Sequence, residues 1–324
     1  MTTEPGTLSS ARYGKDLIRV LRVVREGSTH HVVEYNVRAL VEGDIATSYT
    51  EADNSVVVAT DSIKNITYYV AKISPHILSP TRFALHLATF LLSKYPHLNK
   101  AFVDVDRLRW SRISVGGQGE SSSHPHSFIR DGDDKQTVSV VVDATKGKDK
   151  VIAQVKGGMR DLLVLKSTGS AFRSFVRDEF TTLVEVPDRI LSTAVDLEYV
   201  FGEVQIPAEF KDADKTLKSF TLTSAGLCDV WDADKAADLA RKVTLELFAT
   251  DESESVQATL YKMAQTLLAE DKYINSVTYK LPNKHYVPVD MRYIGVENMK
   301  PSEAEVFVPL AAPSGLITAT VTRK

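Results

Sequence analysis

The chain has 324 residues, of which 43% are hydrophobic and 25% are charged, and its 39 basic and 42 acidic residues leave a formal net charge of −3. These values are typical of a globular protein long enough for one large domain or two medium ones. The charge balance excludes the basic footprint of a nucleic-acid-binding protein. The sequence contains no run of 18 apolar residues, which a membrane-spanning helix would need. Cys228 is the only cysteine, which excludes an intramolecular disulfide and cysteine-based zinc or iron–sulfur sites.

The first half of the sequence predicts the order strand, strand, helix, helix, strand, strand. Apolar and polar residues alternate on both sides of REGST (25–29), which predicts a long hairpin. Thr60 or Asp61 is a suitable cap for the first helix, and a second helix opens at Ser79. The strand alternation slips before Leu108, which indicates a bulge. Apolar residues with helical spacing mark the first helix: Ile63, Ile66, Val70 and Ile73.

The second half shows the same order of elements. Strand patterns precede two helical patterns, and two further strand patterns follow them. The predicted segments are strands in 151–157, 161–168 and 193–206, helices in 232–250 and 255–271, and strands in 275–281 and 285–294. The helix starts near Thr60 and Ser255 offer free N–H groups and a positive dipole end, so each is a natural anion site. We therefore predict an α+β protein of two domains, 1–148 and 149–324, each an antiparallel sheet with helices on one face.

Two polar residues interrupt the last apolar alternation, in LPNKHYVPVD (281–290). Asn283 and His285 have the same parity as Leu281 and Val287, so all four side chains are predicted on one face of a strand. A buried polar group without a partner costs roughly 1–3 kcal/mol. Either the protein or a ligand must therefore satisfy this pair.

A histidine pair and a glycine-rich loop are poor candidates for a metal or phosphate site. His124 and His126 lie two apart in HPHSF, but a metal site needs further ligands, and no nearby acidic residue has useful spacing. A structural or interface role is favoured. GGQGESSS (116–123) lacks the lysine and the context of a phosphate loop and is predicted to be a hairpin tip. The adjacent residues His30 and His31 fall in a predicted turn and are expected to be solvated.

The polar run 166–183 contains aromatic residues that allow two interpretations. Its phenylalanines, Phe172 among them, either anchor the loop in the core or stack on a flat heterocycle. Arg189 follows, just before an apolar strand. An arginine there is usually a surface cation, but if it converges with Asn283, His285 and Gln257 it would grip a planar, carbonyl-bearing anion.

Long motifs along nearly the whole chain decide between these interpretations by resemblance. They are RYGKD (12–16), TSYTEADNSVVVATDSIKN (47–65), HPHSFIRD (124–131), VLKSTGSAF (164–172), RDEFTTL (177–183), DRILST (188–193), SVQATLYKMA (255–264), LPNKHY (281–286) and GLITATV (315–321). In this order they resemble the urate oxidase (uricase) family. A longer loop before HPHSF and an extension at 220–229 depart from the family pattern.

The resemblance implies two tandem tunnel-fold (T-fold) domains per chain, whose sheets assemble into a homotetramer around a β-barrel tunnel, with active sites shared between subunits. It also implies oxidation of urate by O₂ to 5-hydroxyisourate and hydrogen peroxide, without a metal or an organic cofactor. The sequence ends in TVTRK, which is not a peroxisomal tripeptide, and begins without a secretory signal pattern. A cytoplasmic enzyme is therefore expected.

The resemblance assigns the substrate-binding residues. Arg189 and Gln257 hydrogen-bond one edge of urate, the backbone N–H of Val256 adds a donor there, and Phe172 stacks on the ring. Asn283 holds O₂, and later a water, above the ring. Two residues of a neighbouring subunit contact the opposite edge: Thr60 and Asp61.

The resemblance also assigns the catalytic residues: Lys15 and Thr60 form a proton relay, into which His285 hydrogen-bonds. Two other classes remain open as alternatives. A related T-fold enzyme acting on a pterin or a purine-like heterocycle would need metal or carboxylate anchors. A non-catalytic purine-binding protein would keep Arg189 and Gln257 but lack the relay.

Overall fold

The computed structural model describes residues 5–116, 122–206, 223–224, 232–300 and 302–324. The chain divides into two compact units, Met1–Gly157 with Phe201–Asp234, and Gly158–Val200 with Lys235–Lys324. Most of the predicted hairpin tip at 116–123 and of the extension at 220–229 lies outside the described residues. The domain boundary at 148/149 stays a prediction.

The first unit contains an antiparallel sheet in the order β1-β2-β3-β4, and helices pack on this sheet. Its strands are β1 (Tyr13–Glu26), β2 (Thr29–Gly43), β3 (Leu98–Val115) and β4 (Ser122–Asp143). Its helices are α1 (Thr47–Thr50), a 3₁₀ turn (Asn54–Val56), α2 (Thr60–Ile73) and α3 (Pro80–Lys94). Apart from the short α1 and the 3₁₀ turn, the predicted order of elements is confirmed.

Local sequence signals explain how α3 is held in the core of the first unit. Ser79 caps the helix by accepting a hydrogen bond from the Arg82 N–H, and proline occupies the first helical position. Phe83 is fully buried and stacks on Tyr35 with ring centroids 5.5 Å apart. The Tyr35 hydroxyl donates to the Ile77 carbonyl at 2.6 Å, so this buried polar group is satisfied.

Three predictions for the first unit need correction, and one is confirmed. The N-cap of α2 is Ala59, without a side-chain bond, so Thr60 opens the helix rather than capping it. The helical spacing that ends at Ile73 is confirmed, since Ile73 is the last residue of α2, where its side chain is 40% exposed. His30 and His31 belong to β2 and not to the turn, and both are half-buried. The predicted bulge before Leu108 is not found: pairing with β2 and β4 is regular through Leu108, and the register shift of the β3–β4 ladder lies after it, between Leu108 and Trp110.

In the second unit, α5 packs on a ladder built around β9. Residues 276–282 of β9 pair with β11, and residues 285–288 pair with β10. β5 runs from the first unit into the second. The elements are β5 (Ile152–Lys166), β6 (Leu191–Phe201), α4 (Ala233–Thr250), α5 (Val256–Glu270), β9 (Ile274–Pro288), β10 (Phe307–Leu310) and β11 (Leu316–Thr322). The short strands β7 (Val204–Gln205) and β8 (Thr223–Ser224) belong to the first unit.

The second half also corrects predicted strand boundaries. The two strands predicted in 151–157 and 161–168 form the single strand β5, which passes through Asp161 at φ +62°. The predicted strand 285–294 ends at Pro288, and a 3₁₀ turn (Arg292–Ile294) follows. Apolar alternation therefore continues beyond the residues that are buried: Leu281 is 3% exposed, whereas Val287 is 46% exposed.

A basic side chain from a distant part of the chain binds carbonyl groups at the C-terminus of each long helix. Lys148 donates to the Leu92 carbonyl of α3 at 2.9 Å, and Arg323 donates to the Asp271 carbonyl after α5 at 2.7 Å. Arg22 and Lys166 make the same kind of contact at α2 and α4. A cation at this end satisfies free carbonyl groups and complements the helix dipole.

We predict an acid-sensitive contribution to stability from His86 of α3. Burial, with a smaller effect of the neighbouring His76, lowers the pKa of His86 from 6.5 to about 4. The unfolded chain therefore binds a proton between these two values while the folded chain does not, and stability is lost as pH falls from 6.5 to 4. This group accounts for about 3 kcal/mol of unfolding free energy.

Chemical unfolding of the parent and of His86→Asn between pH 7.5 and 4 measures this contribution. Asparagine keeps a donor for the 2.8 Å contact with Ser74 Oγ but does not titrate, so the variant is expected to lose less stability on acidification. A parent slope in His86→Asn would contradict the assignment.

Candidate active site

A carboxylate holds the loop that carries the first candidate residues. Asp188 accepts hydrogen bonds from the Gly169 N–H at 2.8 Å, the Ser170 N–H at 3.2 Å and the Thr168 hydroxyl. Burial raises the pKa of Asp188, but hydrogen bonds from Thr168, Ser170, Gly169 and the Arg189 N–H outweigh it, so the pKa lies below its ordinary value. The loop is therefore anchored to an ionised group directly before Arg189.

Phe172 and Arg189 are brought together by this loop. The backbone of Phe172 exchanges hydrogen bonds of 2.9 and 3.0 Å with Val186, and the Arg189 N–H donates to the Ser170 carbonyl at 2.8 Å. The Arg189 guanidinium carbon lies 4.9 Å from the centroid of the Phe172 ring, within cation–π range. Phe175 stacks on Phe172, and the centroids of the two rings are 4.7 Å apart.

Three buried polar atoms in this region have no hydrogen-bond partner among the described residues: Ser170 Oγ, Arg189 Nε and Asn283 Oδ1. Burial lowers the pKa of the Arg189 guanidinium below its ordinary value, although arginine stays charged at neutral pH. The Asn283 backbone N–H is satisfied by the Gly315 carbonyl at 2.8 Å, whereas its buried side-chain oxygen is not satisfied by the described residues. A donor and an acceptor are thus available to a ligand with complementary groups.

Arg189, Asn283 and His285 line one cavity of about 360 Å³ in the second unit. Cavities of this size hold small ligands. The remaining wall is largely apolar and is formed by Leu183, Val184, Val186, Ile190, Leu191, Tyr286, Val287, Pro288, Phe307 and Leu310, together with Ser192 and Lys284. The cavity therefore combines an apolar wall with a cation and an amide, the composition that a planar heterocyclic anion requires.

The other candidates of the second unit lie on strand β9 and at the start of α5. His285 pairs with Leu310 across the β9–β10 ladder, and its side chain is exposed in the single chain. Ser255 caps α5 by accepting from the Ala258 N–H at 3.1 Å. Val256 and Gln257 occupy the first turn, where backbone N–H groups have no partner within the helix, and the Gln257 side chain is exposed.

The first unit carries the remaining three candidates. Thr60 and Asp61 open α2, and Lys15 lies on β1, against which α2 packs. Asp61 accepts hydrogen bonds from Lys64 and from Asn65. The Lys64 contact lowers the pKa of the Asp61 carboxyl, and the charge of Lys15 contributes in the same direction, which places Lys15 near the helix start. The candidates therefore form two groups, one in each unit.

The histidine pair of HPHSF lies in a cluster of three histidine rings. The rings of His124 and His126 meet edge to face with centroids 4.5 Å apart, and His30 lies 5.7 Å from His126. Within the described ranges, no group of three or more His, Cys, Asp or Glu side chains is placed to hold a metal ion.

No helix in the described part of the chain is long and apolar enough to cross a membrane.

Comparison with known proteins identifies the family. The sequence model of the uricase family matches residues 11–141 and 155–318. The chain belongs to the uricase family. It is 43% identical over 321 residues to a uricase of Emericella nidulans, with 98% of both chains covered, and 44% identical over 319 residues to a uricase of Aspergillus flavus, with 98% and 97% covered.

The uricase fold is also found in the structure. The crystal structure of a uricase from Arthrobacter globiformis superimposes with a TM-score of 0.80 at 28% identity, over 99% of this chain and 96% of the other. This confirms the predicted α+β class and its T-fold assignment.

Sequence reasoning missed two parts of the site. The strand that contributes Phe307 and Leu310 to the cavity was not predicted, because β10 is only four residues long and contains a proline. The anchoring role of Asp188 was also missed. Its signal is local: an aspartate that precedes a strand can accept several loop N–H groups, as this carboxylate does.

Proposed function

We propose that this chain oxidises urate with O₂ and water to 5-hydroxyisourate and hydrogen peroxide, using no metal and no organic cofactor. The observation that carries the proposal is the pair of buried, unpaired polar atoms, Arg189 Nε and Asn283 Oδ1, in one small cavity of a uricase-family chain. Urate is flat and anionic and offers carbonyl oxygens and ring N–H groups. It is therefore complementary to a cation, an amide and an aromatic ring.

In this proposal Arg189 and Gln257 bind one edge of urate by charge-assisted and amide hydrogen bonds. The Val256 N–H, at the positive end of α5, adds a donor to the same edge. Phe172 stacks on the purine ring. Because the Arg189 guanidinium also lies over the Phe172 ring, the guanidinium and the substrate must share the space over the Phe172 ring. Asn283 holds O₂ above the ring, and later the attacking water.

Proton removal prepares urate for its reaction with O₂. Ground-state O₂ reacts readily by one-electron steps, and a urate that has lost a second proton is a stronger electron donor. We assign this proton transfer to Lys15 and Thr60, with His285 hydrogen-bonded into the relay. The two electrons and two protons leave as hydrogen peroxide, and water supplies the new hydroxyl oxygen.

We propose further that the two groups of candidates meet between subunits of a homotetramer. Thr60 and Asp61 of one subunit would then contact the urate that Arg189 of its neighbour binds. Both groups include a helix start, α2 in one and α5 in the other, and each offers N–H groups to an anion. An anion shared by two helix starts explains why neither group is a complete site.

Co-assembly of two inactive variants tests the shared site. Thr60→Ala and Arg189→Ala are each expected to be inactive, and co-refolding them should restore part of the activity, because some interfaces combine an intact Thr60 with an intact Arg189. Mass measurement verifies that mixed tetramers have formed. Mixed tetramers without activity, or folded monomers with full activity, would contradict the shared site.

The reaction itself is tested by following the urate absorbance band in air-saturated buffer, together with peroxide formation. We expect loss of the band, one peroxide for each urate, and the same rate with and without a metal chelator. Inactivation by the chelator would contradict the cofactor-free mechanism. A stable urate band in the presence of folded tetramer would contradict urate oxidation.

A further inference from the structure

The ladder between β1 and β2 contains one extra residue next to Lys15. Lys15 pairs with Ala39 and Ile18 pairs with Val37, so that Asp16 and Leu17 together stand opposite one residue of β2, Arg38. This is the count of a β-bulge. The bulge therefore lies directly beside the proposed relay.

The bulge determines which face of the sheet Lys15 lies on. Residues opposite each other in an antiparallel pair share a face, and Ala39 and Val37 are fully buried on the face that α2 covers. Tyr13, two residues before Lys15 and on the same face, accepts a hydrogen bond from the Val58 N–H at 2.7 Å, just before α2 begins. Lys15 thus shares the face of the α2 start with Tyr13.

Regular pairing outward from Ile18 would have the opposite result. Leu17 would stand opposite Arg38, Asp16 opposite Ala39 and Lys15 opposite Leu40. Successive residues of a strand alternate between faces, so Lys15 would then turn away from α2 and Asp16 would replace it. Because of the extra residue, the face that carries Thr60 receives the ammonium group of Lys15 and not the carboxylate of Asp16.

Two residues hold this arrangement. Leu17 has φ +56°, a conformation that costs a non-glycine residue free energy, although its side chain is 70% exposed and has no packing role that would require it. Asp16 supports it by accepting the Leu17 N–H at 2.7 Å. At Gly14, a Cβ would lie 2.0 Å from the Ala39 carbonyl oxygen, so only glycine allows the backbones to approach this closely.

We propose that the one-residue bulge at Asp16 and Leu17 sets the register in which the Lys15 side chain lies on the face of the sheet covered by α2, and that Gly14 is a positioning residue, because its close approach to Ala39 holds Lys15 in that register. The placement follows from the register alone. Its consequence for turnover rests on the proposed function, in which Lys15 belongs to the proton relay.

Deletions of one and of two residues between Lys15 and Ile18 test the proposal, because only the second deletion moves Lys15 to the other face of the sheet. Without Leu17, regular pairing leaves Asp16 opposite Arg38 and Lys15 opposite Ala39, so kcat is expected to stay within about fivefold of the parent. Without both Asp16 and Leu17, the buried Ile18 and Val20 keep their register and Lys15 moves opposite Arg38, onto the other face. There kcat is expected to fall at least about 100-fold with little change in KM, as in Lys15→Met.

Unfolding midpoints of all chains are measured beside the kinetics. A folded single deletion as inactive as Lys15→Met, or a folded double deletion with normal kcat, would overturn the proposal. If the double deletion does not fold, Gly14→Ala decides: it should lower kcat at an unchanged KM, while Gly6→Ala, whose added Cβ meets no atom within 4 Å, should not. Normal kcat in Gly14→Ala would then overturn the proposal.

A readout without turnover separates this proposal from the proposed function. In a Cys228→Ser background, the thiol of Lys15→Cys is expected to react slowly with a maleimide in the full-length chain and in the single deletion, and faster in the double deletion. Equal labelling rates would overturn the placement of Lys15. Normal turnover by Lys15→Met, with the labelling pattern as expected, would contradict only the role of Lys15 in catalysis.

Discussion

Arg189→Ala is expected to lower kcat/KM for urate by about 10²–10⁴-fold, because two hydrogen bonds to a charged donor are each worth about 1.5–3 kcal/mol. The guanidinium is half-buried over Phe172, and its Nε has no partner among the described residues, so its removal breaks none of the protein hydrogen bonds described for the folded chain. The effect should therefore appear in urate binding, while the proposed tetramer still assembles. Steady-state kinetics and size-exclusion chromatography measure both quantities.

Two further variants define what Arg189 contributes. Arg189→Lys keeps the charge but loses the planar fork, so it should stay closer to Arg189→Ala than to the parent. Arg173→Ala removes a cation of the same loop, which is exposed and pairs with Glu254, and should leave kcat/KM within about threefold, since exposed ion pairs contribute little. An unchanged KM in Arg189→Ala would remove this residue from the site.

Local patterns account for most of the fold, since the hairpin, the Ser79 cap and the helical pattern of 255–271 each follow from residues close together in sequence. They fail where burial depends on a distant partner. The alternation through β9 predicts a buried Val287, yet the strand changes partners after Pro282, from β11 to the short β10, and Val287 is 46% exposed. The sequence likewise did not predict that Lys148 caps α3 or that Arg323 caps α5, because both contacts are long-range. Lys148 lies 50 residues from the Leu98 carbonyl, which it also binds, and Arg323 lies 52 residues from the Asp271 carbonyl.

The site divides in the same way. Periodicity alone identified Asn283 as a polar residue on an apolar face, and its side-chain oxygen is buried without a partner among the described residues. Pairing of Arg189 with Phe172 depends on the Asp188 anchor, a contact between residues 18 to 20 apart that no period indicates. The face on which Lys15 lies depends on a bulge, and a bulge reverses what strict alternation would predict.

Lys15→Met is expected to lower kcat by about 10²–10⁴-fold, the usual contribution of a general base, while KM for urate changes little. The reason is that Lys15 is assigned to proton transfer, whereas the binding contacts are assigned to Arg189, Gln257 and Phe172. Methionine keeps the apolar stem of lysine, so the β1–β2 ladder opposite Ala39 should remain intact. Stopped-flow urate consumption at saturating urate measures the loss.

Lys15→Arg distinguishes proton transfer from charge. Arginine keeps a cation near Asp61 but stays protonated and accepts no proton, so the variant should be nearly as slow as Lys15→Met. Lys72→Met, at an exposed lysine near the end of α2, is the matched control and should keep parent kinetics. Near-normal kcat in Lys15→Arg with a slow Lys15→Met would mean that Lys15 supplies only charge, and near-normal kcat in both would assign the proton to another group.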